Sequence, residues 1–389
     1  MKKTKITTNG WRIKEIAKIT SARILQVFIR ALYIFPIKKN RIVLHSFKGR
    51  QFSCNPKAIT EYLLAHFPKK FEIIWAFRDV EQFSDLKKLG IKCVRYVSIK
   101  RVYLEATSAF SINNVGSFNW LPIRKYQLHI NTWHGGGCYK KLSTDSLSDI
   151  SRKLTSAQTS HMISSSSFFS DFVIRGEFGF NKQILQIGMP RNDVFFNIDL
   201  IQGRNVAVRT KYKIPRDNIL ILYAPTWRFD KNINFPDFKL VSEAVRELTD
   251  KNSTIISRTH YYLNGSIPDT INVNDYRDMQ DLLCAADILI TDYSSSIWDY
   301  SFLYRPCFLF VDDLESYNES RGFCKEIHTW GFPVCTTNDE LYKAIVNFDS
   351  ADFRRKMEKH HDDLGSFETG HATEKICDFL VKHLENAET

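Results

Sequence analysis

The sequence predicts an α/β protein of two doubly wound parallel sheets, preceded by a basic amphipathic segment. Three observations carry that prediction. The chain has 389 residues, too many for one ordinary core and enough for two domains of about 150–190 residues each. From Arg41 onward, short apolar runs alternate with amphipathic stretches, the pattern of parallel strands joined by crossover helices. The alternation restarts after the polar stretch Lys211–Asp217, which reads as a hinge. The expected division is a segment over 1–40, a first domain over 41–210 and a second over 211–389, with the last helix free to cross back.

At 43% hydrophobic and 25% charged residues, the composition is that of a folded chain. The net charge of +11 is concentrated at one end. Residues 1–50 hold thirteen Lys or Arg against Glu15 alone, a net of +12 that leaves the other 339 residues at −1. A nucleic-acid enzyme more often carries positive charge over its body, so no nucleic-acid partner is expected. The eight cysteines form no Cys-x-x-Cys pair, which argues against a zinc site or disulfide framework and for a reducing compartment.

In the N-terminal segment Ile13, Ile16, Ile19, Ile24, Leu25, Val27 and Phe28 are interleaved with Arg12, Lys14, Lys18, Arg23 and Arg30. Charges this frequent exclude a comfortable span, which needs about 20 mostly apolar residues. No small-residue cleavage site follows an apolar run, so the segment does not read as a signal peptide. A helix of this composition suits the headgroup region of an anionic leaflet. The alternative is a helix packed on its own domain with a solvated basic face.

Within the first domain, Arg41–Ser46, Glu72–Phe77, Ala109–Asn113, Leu128–Asn131 and His161–Ser164 read as buried strands. Apolar spacing predicts helices over Pro56–Phe67 and Ile99–Thr107. After Arg191-Asn192-Asp193 the pattern loosens. The second domain offers strands at Ile219–Tyr223, Thr254–Ser257, Ile271–Val273, Asp287–Thr291 and Cys307–Val311. Its helices are expected at Phe238–Thr249, Met279–Ala286 and Ser295–Leu303. Two such sheets facing each other would leave a cleft at the carboxyl ends of their strands.

Two stretches carry chemistry. In Leu128–Lys141 a strand ends at Asn131-Thr132-Trp133, and His134 precedes Gly135, Gly136 and Gly137. A glycine turn leaves backbone N–H groups pointing outward, which suits anions, and an imidazole at its lip can take a proton near neutral pH. A plain tight turn beside a histidine has the same signature. In the second stretch, a strand runs into Asp292 and Ser294, Ser295 and Ser296 open a helix that carries Asp299. Serine hydroxyls, free amides and the helix dipole together make a phosphate cradle, although a serine N-cap on a structural helix reads identically. Asp299 could hold a ribose or glycerol hydroxyl. Arg228, Arg258 with His260, and Arg321 follow further strands, and several cations at consecutive strand ends favour a shared anionic ligand. There is no Gly-x-x-x-x-Gly-Lys-Ser/Thr loop, and no His-x-x-x-His or Asp-x-Asp pair suggests a metal cage. No metal and no cofactor are expected.

The set Thr132-Trp133-His134-Gly135, Gly188-Met189-Pro190-Arg191-Asn192-Asp193, Tyr223-Ala224-Pro225-Thr226-Trp227-Arg228, Arg258-Thr259-His260, Thr291-Asp292-Tyr293-Ser294-Ser295 and Arg321-Gly322-Phe323 resembles the CDP-glycerol glycerophosphotransferases of teichoic acid synthesis. The pieces occur in that family's order, from about Arg41 to the C-terminus. The resemblance implies two Rossmann-like domains in the GT-B arrangement and peripheral attachment to the cytoplasmic face of the cell membrane. It also implies transfer of glycerol phosphate from CDP-glycerol, or a related CDP-polyol, to a lipid-linked saccharide acceptor. Carried over by residue, His134 resembles the base that deprotonates the acceptor hydroxyl, and His260 the second histidine near the donor phosphates. Ser294 and Ser295 fall where the pyrophosphate is held, with Arg258, Asp299 and Arg321 as weaker counterparts. One departure stands out. The family commonly has Gly-Thr-Pro after the histidine, whereas this chain has Gly135-Gly136-Gly137, which bears on acceptor choice more than on reaction type. Two other readings stay open: a GT-B glycosyltransferase using a sugar nucleotide, and a non-catalytic membrane-docking protein that binds polyanionic polymer.

Overall fold

Runs such as Ile42-Val43-Leu44 and Ile73-Ile74-Trp75 hold neither Gly nor Pro and are buried on both faces, as parallel strands between helical layers must be. The structure, a computed structural model, describes residues 6–116, 121–137, 139–142, 146–226, 234–259 and 267–388. Its strands are β1 Lys38–His45, β2 Glu72–Phe77, β3 Lys92–Arg95, β4 Ser108–Asn113, β5 Leu128–Asn131, β6 His161–Ser164, β7 Gln183–Gln186, β8 Ile219–Tyr223, β9 Ser253–Ser257, β10 Ile271–Asn272, β11 Ile288–Thr291, β12 Cys307–Phe310 and β13 Val334–Cys335. The helices are α1 Ile6–Arg30, α2 Cys54–His66, α3 Ile99–Thr107, α4 Ser146–Ala157, α5 Ile198–Tyr212, α6 Phe238–Thr249, α7 Met279–Ala285, α8 Ser296–Ser301, α9 Leu314–Ser320, α10 Asn338–Val346, α11 Ser350–Leu364 and α12 Ala372–Glu388.

The chain forms two units, and neither is one continuous segment. The first comprises the residues up to His134, Leu142–Arg191 and the chain from Phe367; the second comprises Gly135–Lys141 and Asn192–Ser366. In the first, seven parallel strands run in the order β3-β2-β1-β4-β5-β6-β7. Val43 lies opposite Ile74 on one side and Ser111 on the other, and the core on that face joins Val43, Ile74, Ala76, Val94 and Tyr96 to Leu104 of α3. Arg101 and Glu105, one turn apart on α3, form an ion pair with both side chains buried, and the guanidinium lies 3.9 Å from the Tyr96 ring centre. Helix α12 packs on α2 and β1. Ile29 of α1 packs with Ala106 and Leu121, while Ile16, Ile24, Val27 and Phe28 are exposed. No helix among the described residues is long and apolar enough to cross a membrane.

In the second unit, six parallel strands run β10-β9-β8-β11-β12-β13. Ile221, Ile255, Ile288, Ile290 and Phe308 meet the apolar stripe of α6, Phe238, Val241, Ala244 and Val245. Asp237 starts that helix by accepting from the N–H groups of Lys239 and Leu240. Each sheet therefore has the Rossmann strand order, three-two-one-four-five-six, with one reversal of winding.

The strands Glu72–Phe77, Leu128–Asn131, His161–Ser164 and Ile219–Tyr223 and the helices Ile99–Thr107 and Phe238–Thr249 lie where the sequence pattern puts them. The loosened stretch after Asp193 needs correcting, because α5 occupies it. Asn197 caps α5 through the Leu200 N–H, but Ile198, Leu200 and Val206 are exposed and only Ile201, Val208 and Arg209 are buried. A helix without an apolar stripe gives no periodic signal. Lys211–Asp217 is the end of α5 and the turn into β8, with Lys213 in the left-handed region at φ 54°.

Candidate active site

Open parallel sheets take ligands at the carboxyl ends of their strands, where the winding reverses. Those places are β1/β4 in the first unit and β8/β11 in the second.

In the first unit, β1 is followed by Ser46 and Phe47, β4 by Asn114, and β5 by the His134 turn. The His134 Nδ1–H donates to the Asn114 carbonyl at 2.8 Å. A carbonyl can only accept, so the neutral ring carries its lone pair on Nε2. Phe47 meets the imidazole edge-on with ring centres 5.5 Å apart, and the Trp133 ring lies at 4.4 Å. Trp133 takes φ 51°. Its N–H donates to Asn131 Oδ1 at 2.9 Å, and its carbonyl accepts from Asn55 Nδ2 at 3.0 Å. The same Asn55 accepts the Arg191 N–H at 3.1 Å, and the neighbouring Met189 N–H donates to Glu368 at 2.9 Å. The Gly188–Arg191 motif is thus a buttress for the histidine turn, tied back to the segment that leads into α12.

The three glycines belong to the second unit and are buried. Gly136 runs so close to Trp298 of α8 that a Cβ would sit 2.2 Å from the indole Cδ1. Gly137, at φ 74°, abuts the Tyr139 ring. The Tyr139 hydroxyl donates to His360 Nε2 at 2.8 Å; burial pushes His360 down to about 3, so the ring is neutral and able to accept. Lys140 bridges to Phe323, the Lys141 N–H donates to the Gly322 carbonyl at 3.2 Å, and the Cys324 N–H donates to the Tyr139 carbonyl at 2.9 Å. Arg321 Nε adds a bond to the Lys141 carbonyl at 3.0 Å. The structure therefore gathers Gly136, Gly137, Arg321 and the α8 segment with Ser296 and Asp299 into one region, and Gly135 is bonded directly to His134.

At the β8/β11 reversal, both carboxylate oxygens of Asp292 accept from the Thr226 N–H, at 2.9 and 2.8 Å, and the Thr226 hydroxyl joins them. Ser294 Oγ accepts from the Ser296 N–H at 3.3 Å and its hydroxyl at 2.9 Å. Among the described residues, the Ser295 side chain makes no cap hydrogen bond. Asp299 is buried and accepts from Gln280 Nε2 at 3.0 Å. Tyr293 donates to Asp313 at 2.9 Å and stacks on Tyr317 at 3.8 Å. Arg258 follows β9, its N–H on the Tyr223 carbonyl, and its buried Nη1 has no hydrogen-bond partner among the described residues. Burial pulls its pKa down, opposed by the nearby Asp278, Tyr212, Asp275 and Asp281. Arg228 and His260 lie outside the described residues. Pattern reasoning did not single out Asn55, Asn114, Trp298, Tyr139 or His360. Trp298 stands inside the serine stretch and Tyr139 inside the glycine stretch, but Asn55, Asn114 and His360 have no local signature.

Two parallel sheets of Rossmann order, each with polar side chains gathered where its winding reverses, define the class: a protein of two Rossmann-like α/β units. A family model described as CDP-Glycerol:Poly(glycerophosphate) glycerophosphotransferase matches residues 27–382, and the chain belongs to that family, as its motifs indicate. It is similar to the teichoic acid poly(glycerol phosphate) polymerase of Bacillus subtilis, 28% identical over 95% of this chain and 53% of that one. It thus spans about half the length of that relative. Similarity to the teichoic acid glycerol-phosphate transferase of Staphylococcus aureus is also 28%, over 88% of this chain and 93% of the other. Among solved structures, a variant of the wall teichoic acid polymerase TagF soaked with CDPG superposes with a TM-score of 0.80 at 25% identity, covering 100% of both chains.

Proposed function

We propose that this chain transfers glycerol phosphate from CDP-glycerol, or a related CDP-polyol, to a hydroxyl of a lipid-linked acceptor, releasing CMP. The polymer would be a teichoic acid or teichoic-like cell-wall or capsule polymer, made at the cytoplasmic membrane face. The observation that carries this reading is the orientation of His134. With Nδ1–H held on the Asn114 carbonyl, Nε2 is the nitrogen that takes the acceptor proton. The acceptor oxygen then bonds to the β-phosphorus, the bond from that phosphorus to the bridging oxygen breaks, and CMP departs with that oxygen.

Charge on the pyrophosphate would be held by Ser294, Ser295 and Ser296, by Arg258 and Arg321, and by Arg228 and His260. Asp299 would meet a hydroxyl of the donor. Fixed donors of this kind act where charge develops and need no reorganisation during the reaction. The proposal includes the GT-B arrangement of the two Rossmann-like units. It also gives the acceptor side to Gly135–Gly137, where Trp298 lies against Gly136. The exposed Ile16, Ile24, Val27 and Phe28 of α1, beside the exposed Arg23 and Arg30, would rest in the headgroup layer.

The test is CMP release over a panel of CDP-glycerol, CDP-ribitol and UDP-sugars, with wild type and His134→Ala. Removing a general base typically costs about 10²–10⁴-fold. The variant should lose turnover in that range on its CDP-alcohol. Near-normal turnover by the variant, or activity confined to a UDP-sugar, would end this reading.

A further inference from the structure

At the β1/β4 reversal, three residues form a closed circuit. The Asn114 carbonyl accepts from His134 Nδ1 at 2.8 Å, Asn114 Oδ1 accepts from the Phe47 N–H at 2.8 Å, and the Phe47 ring returns to the His134 imidazole edge-on at 5.5 Å. The loop that presents Phe47 is an unusual one. Phe47, Lys48 and Gly49 take φ of 47°, 57° and 77° in succession, and side chains other than glycine are strained in that region. The Gly49 and Arg50 N–H groups close the loop onto the Ser46 carbonyl.

Asn114 is fully buried, and its Nδ2 has no hydrogen-bond partner among the described residues. An amide kept in the interior with its donor unused is unfavourable, because a buried polar group without a partner loses its hydration and gains nothing for it. An apolar side chain of similar size would avoid that loss. What the amide alone supplies is Oδ1, the acceptor that pins Phe47. With Oδ1 engaged, the loop after β1 and the turn after β4 are locked together, and the Asn114 carbonyl is held in line with the imidazole.

We infer that Asn114 is a positioning residue for His134, acting with Phe47. Its main chain fixes the tautomer with the proton on Nδ1, its side chain fixes the main chain through the Phe47 N–H, and the Phe47 ring limits rotation of the imidazole. The catalytic meaning of this rests on His134 being the base; the tautomer itself does not.

The experiment is ¹⁵N NMR of the full-length protein labelled at histidine, with the His134 signals identified by their loss in His134→Gln, alongside steady-state kinetics. Wild type should show the neutral ring protonated at Nδ1. Asn114→Ala should give averaged nitrogen shifts and a kcat lower by about 10–10²-fold, the cost of slight misplacement of a reacting group, with the KM for CDP-glycerol unchanged. Asn114→Asp, which keeps an acceptor for Phe47, should restore the wild-type tautomer. A wild-type ring protonated at Nε2 overturns the inference without any variant having to fold. So does an Asn114→Ala protein with wild-type nitrogen shifts and wild-type kcat. If the tautomer is as stated but His134→Ala still turns over, the base reading fails and the positioning geometry stands.

Discussion

The approach of Gly136 to Trp298 yields a sharp test of the glycine segment. Gly136 has no left-handed φ, so Gly136→Ala changes only the space that is filled. The added Cβ would lie 2.2 Å from Trp298 Cδ1 and 2.7 Å from Nε1, against an ordinary carbon contact of about 3.5–4.0 Å. More than 1 Å must therefore be found. Trp298 is fully buried, with ring centres of Phe302 at 5.2 Å, His361 at 5.6 Å and His360 at 6.1 Å, so the indole has little room to retreat. If it is forced back, overpacking costs about 1–3 kcal/mol, which lowers the melting temperature by roughly 3–10 °C for a unit of this size. If the glycine segment moves instead, His134 moves with it, and a shift near 1 Å lowers kcat by up to about 10²-fold. Thermal unfolding and CMP release on the same preparation separate the two. Combining the change with Trp298→Leu should give less than the summed loss, because the residues touch. Wild-type stability together with wild-type turnover in Gly136→Ala would refute the reasoning.

Removing the cation of the buried pair in Arg101→Met leaves Glu105 charged in the interior, with Oε2 already lacking a partner among the described residues. Urea unfolding should show a loss of about 3–5 kcal/mol, largely recovered in Arg101→Met with Glu105→Leu; a single variant as stable as wild type would disprove the burial argument. Burial also pushes His360 to about 3 and His361 to about 4, so below pH 6.5 the unfolded chain binds protons that the folded chain refuses. Stability from these two groups is therefore full above pH 6.5 and falls with pH down to about 4 and 3, by about 1.4 kcal/mol per pH unit for each. His361→Gln should make the decline between pH 6 and 5 shallower by one such amount, and an unchanged slope would contradict it. Deleting residues 1–35 should release the protein from anionic vesicles while CMP release persists, whereas retained vesicle binding would rule out the interfacial role of α1.

Much of the fold was legible because parallel strands buried on both faces are plain apolar runs; Glu72–Phe77 is one. Helix α6 shows the complementary signal, a stripe of Phe238, Val241, Ala244 and Val245. Helix α5 lacks a stripe. Helix α11 is mostly charged, and its buried face, Phe353, Met357, His360, His361 and Leu364, includes two histidines, which blurs the apolar stripe; neither helix stood out. In the site, His134, Gly136 and Ser294–Ser296 announce themselves locally because glycine clusters and serine-opened helices are short-range chemistry. Their supports do not. Asn114 meets His134 from 20 residues away, Asn55 meets Trp133 from 78, and His360 meets Tyr139 from 221. Such pairings follow only from strand order, and the Asn113-Asn114 pair gives no hint of it.

The interleaving of the two units has a consequence for how the chain is made. It leaves the first unit at His134, returns at Leu142, leaves again after Arg191 and comes back at Phe367. Helix α2 is synthesised more than 300 residues before α12, the helix that covers it. During translation the first sheet must wait, with that flank open, until the second unit has been produced in full. No single cut yields two halves that each hold a complete unit. A ragged C-terminus would therefore be felt first in the N-terminal sheet, on the same scaffold that Glu368 ties to the histidine turn.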